Sequence, residues 1–88
     1  MEYTYKTSGT CSREIRFELD GENRLHNIVF IGGCNGNLQG ISKLAEGMKA
    51  EEFIGKCEGI KCGFKSTSCP DQLSKAIREA LSVSEKNV

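Results

Sequence analysis

Five cysteines, Cys11, Cys34, Cys57, Cys62 and Cys69, are the residues of this 88-residue chain best equipped for chemistry. The thiolate form of cysteine is a soft ligand for zinc and the reactive species in thiol exchange. Four of the five fall where the sequence turns. Cys11 follows Gly9-Thr10, Cys34 lies within Gly32-Gly33-Cys34-Asn35-Gly36-Asn37, Cys62 adjoins Gly63, and Cys69 precedes Pro70. Such positions suit a tetrahedral thiolate site with sulfur about 2.3 Å from the metal, because backbone N–H groups there can donate to the sulfurs. A helix expected to open at Pro70 adds a favourable dipole at Cys69. Four thiolates on one zinc leave a net charge of about −2, which Lys61 and Lys65 would offset in part. The expected metal ligands are therefore Cys11, Cys34, Cys62 and Cys69. Cys57 falls on the apolar face of a predicted helix and reads as a small core residue. No C-x-x-C pair occurs; the tightest spacings are Cys57-x4-Cys62 and Cys62-x6-Cys69, so the fold has to assemble the site.

Two other chemistries fit the same residues. In a thiol-redox protein, Cys69 at a helix start would attack and Cys62 or Cys34 would resolve. In a nucleotide- or phosphate-binding accessory module, backbone N–H groups of the glycine-rich loop, at Gly33, Gly36 and Asn37, would cradle the anion. That loop has no Walker lysine, and Gly33-x-x-Gly36-x-x-x-Gly40 is not the dinucleotide fingerprint; its bland alternative is a tight turn that brings Cys34 to its partners. His26, the single histidine, sits mid-strand away from the cysteine loops and reads as structural or exposed. Thr67, Ser68 and Asp71 read as helix caps. The residues support a binding property better than a reaction.

Composition narrows the class. The chain carries 12 basic and 12 acidic residues, with no like-charge run longer than a pair such as Glu51-Glu52. That balance argues against a dedicated nucleic-acid binder and against a polybasic membrane patch. No stretch approaches the ~18 consecutive apolar residues of a membrane span, and the first residues lack a signal-peptide pattern. The expected location is the cytoplasm, where thiols stay reduced and cysteine clusters serve metals or redox chemistry more than disulfides. The expected partners are another protein, or a second copy of the chain through an exposed sheet edge or face.

The elements that must position these cysteines can be read from period and punctuation. Length allows one domain, spanning 1–88 with a frayed tail at 82–88. Tyr3 and Tyr5 give a weak strand signal. Ile15, Phe17 and Leu19 alternate with Glu14, Arg16 and Glu18, the pattern of a half-buried strand. Asp20-Gly21-Glu22-Asn23 is a turn, and Leu25 to Ile31 is the second strand of a hairpin, expected to lie centrally because it is more continuously apolar. Leu38, Ile41, Leu44, Ala45 and Met48 recur at helical spacing, with Asn35 or Asn37 as cap and Gly47 as stop. A short helix is expected over Ala50 to Cys57. The last helix opens at Pro70, capped by Ser68 or Cys69, and carries the stripe Leu73, Ala76, Ile77, Ala80 and Leu81. The expected fold is α+β: a small antiparallel sheet of two to three strands packed against two to three helices.

Thr67-Ser68-Cys69-Pro70-Asp71 also spells a family signature. The chain resembles the TSCPD domain family, and the likeness extends to Gly32-Gly33-Cys34-x-Gly36-Asn37-Leu38-x-Gly40, to Cys62 and to Gln72-Leu73. It is similar in particular to stand-alone, four-cysteine members of about this size; related domains occur at the C-terminus of cobalamin-dependent ribonucleotide reductases. The resemblance implies a metal, zinc by its donor set, on Cys11, Cys34, Cys62 and Cys69, with Cys57 outside the motifs. It does not carry the reductase activity across, since that chemistry needs a large catalytic barrel.

Overall fold

Period-two alternation puts Ile15, Phe17 and Leu19 on one face of a strand, and all three are buried. The computed structural model describes residues 1–10, 12–33, 35–61, 63 and 65–86, with Asn35 and 84–86 by their backbone. The elements run β1 (Glu2–Lys6), β2 (Ser12–Leu19), β3 (Leu25–Gly32), α1 (Asn35–Ala45), α2 (Ala50–Cys57) and α3 (Cys69–Lys86). The three strands form an antiparallel sheet in the order β1-β2-β3. This is the α+β fold expected.

The register aligns the core face. Tyr3 pairs with Phe17 and Tyr5 with Ile15, so the tyrosines share the buried face, and the Tyr3 ring stacks on Phe17 at 5.8 Å. A hydrogen bond to Glu79 on α3 pushes the Tyr3 hydroxyl up to about 12. Leu73, Ala76, Ile77 and Ala80 on α3 are fully buried against Ile15, Phe17, Leu19, Leu25 and Ile28, and Phe53 and Ile54 of α2 complete the core. Removing each large side chain from water contributes roughly 1.5–3 kcal/mol. The stripe read from the sequence is therefore the face that docks, and α3 runs past its last member, Leu81, to Lys86.

The β2–β3 turn is held by Asp20, whose Oδ1 accepts N–H bonds from Glu22 at 2.9 Å and Arg24 at 3.0 Å. Asn23 takes the left-handed conformation the turn needs, at φ 60°. Further along, Glu18 pairs with His26 but Arg16 pairs with Val29, so Asn27 and Ile28 together face Phe17. Asn27, at φ 53°, takes the left-handed position of a bulge, which asparagine tolerates better than most residues.

β3 does not lie centrally; it is an edge strand, and β2 is the middle one. The apolar run that suggested burial on both faces divides differently. Ile28 is in the core, Val29 is 49 % exposed, and Phe30 and Ile31 are half-buried. The start of the outer edge is paired through the main chain, where Leu25 N–H bonds Met48 O at 2.9 Å and Gly47 N–H bonds Leu25 O at 2.7 Å. The Asn27 N–H is met by Glu46 Oε1 at 2.8 Å. Among the described residues, no main-chain hydrogen bond continues that pairing along Ile28 to Gly32.

Within α1, Leu38 and Ala45 are buried and Ile41 is half-buried; Leu44, read from the sequence as part of the stripe, is 80 % exposed. Asn37 lies inside the helix and does not cap it. Gly47 ends the segment at φ 79°.

Candidate functional site

The start of α3 is built by its own residues. Ser68 is the N-cap: the Asp71 N–H donates to Ser68 Oγ at 3.2 Å and the Gln72 N–H to Ser68 O at 2.8 Å. Cys69 is then the first helical residue, and Pro70 follows where a missing N–H costs no helical bond. Cys69 is only 6 % exposed. Its Sγ lies 3.2 Å from Oγ of Ser12, the first residue of β2, itself buried.

Around that corner the remaining signature residues tie distant segments together. Thr67 Oγ1 donates to Asp71 Oδ2. The Gly59 N–H donates to Asp71 Oδ1 at 2.7 Å. One carboxylate therefore pins both ends of the loop between Gly59 and Thr67, the loop whose sequence contains Cys62. Gln72 Nε2 donates to Thr67 Oγ1 at 3.0 Å, and its Oε1 accepts the Ser8 N–H at 3.2 Å. That second clamp fixes the segment leading from β1 towards β2. Gly9 packs there so closely that a Cβ would sit 3.0 Å from Thr67 Cγ2, and its φ of 75° independently demands glycine. Burial would push the Asp71 carboxyl up, but the Thr67 hydroxyl, the Gly59 N–H and the Lys75 ammonium outweigh it and hold it below its ordinary value. Among the described residues, no buried side-chain nitrogen or oxygen lacks a hydrogen-bond partner.

The third approach to the corner comes along the sheet. Ser12 is the cross-strand partner of Gly32. Gly32 and Gly33 adopt φ 82° and 84°, and a Cβ on Gly32 would meet Arg13 Nε at 3.3 Å. These two left-handed glycines turn the chain from β3 towards α1, as the tight-turn reading of the loop requires.

Of the four expected ligands, Cys69 is placed as described, while Cys11, Cys34 and Cys62 lie outside the described residues. Among the described residues, no group of three or more His, Cys, Asp or Glu side chains is arranged to hold a metal. What is described fits a soft, thiolate-seeking cation: a buried sulfur at the positive end of a helix, facing a hydroxyl able to donate to it. Gly33, Gly36 and Asn37 are exposed, and a Cβ at Gly36 would meet nothing within 4 Å. Cys57 packs against the core, as expected, and burial pushes its thiol up despite Lys56 beside it. His26 lies near the start of β3, opposite Glu18 at the far end of β2 from Ser12, its ring nitrogens 2.6 Å from Glu46 Oε2 and 2.8 Å from Asp20 Oδ2. Sequence reasoning missed Ser12, whose contact with Cys69 spans the fold and leaves no local signal.

The family model of the TSCPD domain matches residues 2–81. No curated protein and no solved structure matches the chain.

Proposed function

This chain belongs to the TSCPD domain family, and from that premise we propose that it is a cysteine-ligated metal-binding domain, zinc being the metal, that serves as an accessory or interaction module in the cytoplasm. The observation that carries the reading is the convergence at the start of α3. Cys69 Sγ meets Ser12, which follows Cys11 in sequence, and Ser12 pairs with Gly32 of the loop that contains Cys34. Asp71 anchors both ends of the loop that contains Cys62. Cys11, Cys34, Cys62 and Cys69 supply four thiolates, the set that makes a closed structural zinc site. No helix among the described residues is long and apolar enough to cross a membrane. The partner is a protein, a second copy pairing along the edge of β3 included.

The test is metal content by mass spectrometry on untagged protein, purified under reducing conditions without chelator. The expected result is about one zinc per chain, lost in Cys34→Ser and in Cys69→Ser. Metal-free protein with five freely titratable thiols would overturn the proposal in favour of thiol exchange. The burial of Cys69 at 6 % exposure weighs against that rival, since a reactive thiol needs access.

A further inference from the structure

Ser12 and Thr10 form a short chain of hydroxyls ending on the Cys69 sulfur. Ser12 Oγ is 3.2 Å from Cys69 Sγ and 3.2 Å from Thr10 Oγ1, and Thr10 Oγ1 is also 3.3 Å from the Ser12 carbonyl oxygen. That carbonyl additionally accepts the Thr7 hydroxyl. A hydroxyl differs from a backbone N–H in one respect that matters here: it can donate or accept, whereas the amide only donates. We infer that Ser12, oriented by Thr10, is a positioning residue for the Cys69 sulfur.

Held by Thr10, the Ser12 hydroxyl can donate to the Cys69 sulfur without main-chain movement, and the Ser12 carbonyl keeps the Thr7 hydroxyl as donor when Thr10 bonds Ser12 Oγ. In the ligating state the hydroxyl draws charge from a centre that is about −2 with four thiolates, and outer-shell donors of this kind govern metal affinity.

This inference rests on the metal-site reading, and its test separates the two. The full chain and the variants Ser12→Ala, Thr10→Val and Thr10→Ser are titrated with cobalt(II), with a competing chelator to fix affinity. The sulfur-to-cobalt absorption band reports the ligand. Ser12→Ala should keep the band but move it to lower energy, and should weaken binding about 10–100-fold. Thr10→Val should weaken binding several-fold, and Thr10→Ser should restore it. Ser12→Ala should lower the melting temperature of metal-loaded protein by more than that of chelator-treated protein. Affinities within twofold of the parent chain, or equal melting shifts in both states, would overturn the inference by showing a purely structural role. If Ser12→Ala does not fold, equal affinities for Thr10→Val and Thr10→Ser overturn it. A parent chain that shows no cobalt–thiolate band overturns the metal reading itself, and this inference with it.

Discussion

Asp71 holds a buried carboxylate in the first turn of α3, where an N–H, a hydroxyl and an ammonium answer its charge. Asp71→Ala would leave the Gly59 N–H and the Thr67 hydroxyl without their acceptor. The Thr67 hydroxyl is buried, and orphaning it costs about 1–3 kcal/mol, so the urea midpoint should fall clearly with the m-value unchanged. Because the folded carboxyl lies below its ordinary value, its stabilisation is present above the unfolded pKa and is lost as pH falls through the folded one. His26 works in the opposite sense. Hydrogen bonds to Asp20 first and Glu46 second raise its pKa, with Glu18 its cross-strand partner on β2. Its contribution is complete below the unfolded value near 6.5 and is lost as pH rises through the higher folded value. Denaturation curves from pH 6 to 9 should show that decline, and His26→Ala should flatten it; a slope that persists in the variant would assign it elsewhere. At this scale the sequence reveals residue types better than their partners. Ser68 caps α3 as its type and position suggest, because a cap bonds its own neighbours. Thr67 and Asp71 read as caps too; they bond each other and Gln72 within the same turn, while the Gly59 N–H reaches Asp71 from across the intervening loop, which no local pattern encodes.

Among the elements, α1 carries two helical glycines whose space is open. A Cβ at Gly36 or Gly40 meets nothing within 4 Å, and neither residue has positive φ. Gly36→Ala and Gly40→Ala should each stabilise the domain by about 0.5–1 kcal/mol through helix propensity. Gly47→Ala should instead cost about 1–2 kcal/mol, since its φ of 79° strains an L-residue. Thermal melting of the three variants decides both signs. On α3, Ile77→Ala removes a fully buried side chain and should cost about 2–5 kcal/mol. The strands and helices were legible because their periods are clean: two for Ile15, Phe17 and Leu19, and i, i+3, i+4 for Leu73, Ala76 and Ile77. The place of β3 was not. Ile28 to Ile31 gives the same apolar run whether helices cover both faces or one side chain faces the core and the next faces solvent, and only pairing order distinguishes these.

The whole molecule is one compact body with a Cα radius of gyration of 12.1 Å, close to the roughly 12 Å expected for a folded domain of this length. Its core is small, as a domain of this size buries only about 60 % of its unfolded surface. A metal that binds the folded chain in preference to the unfolded one adds its binding free energy to stability. Chelation under reducing conditions should therefore lower the melting temperature, and zinc should restore it. An unchanged melting temperature across chelation and zinc return would show that the site contributes nothing to folding.

The unpaired margin of β3 bears on how this protein behaves in a concentrated solution. From Ile28 to Ile31 the strand carries no charge and no proline, and its outer main chain makes no main-chain hydrogen bond among the described residues, whereas β1 at the opposite margin is flanked by Glu2 and Lys6. Charged margins resist stacking by neighbouring molecules; apolar ones template it. With a net charge of zero, long-range repulsion does not keep molecules apart. The chain should therefore thicken into thioflavin-binding assemblies on prolonged storage at high concentration, and Val29→Lys should lengthen the lag without changing the melting temperature.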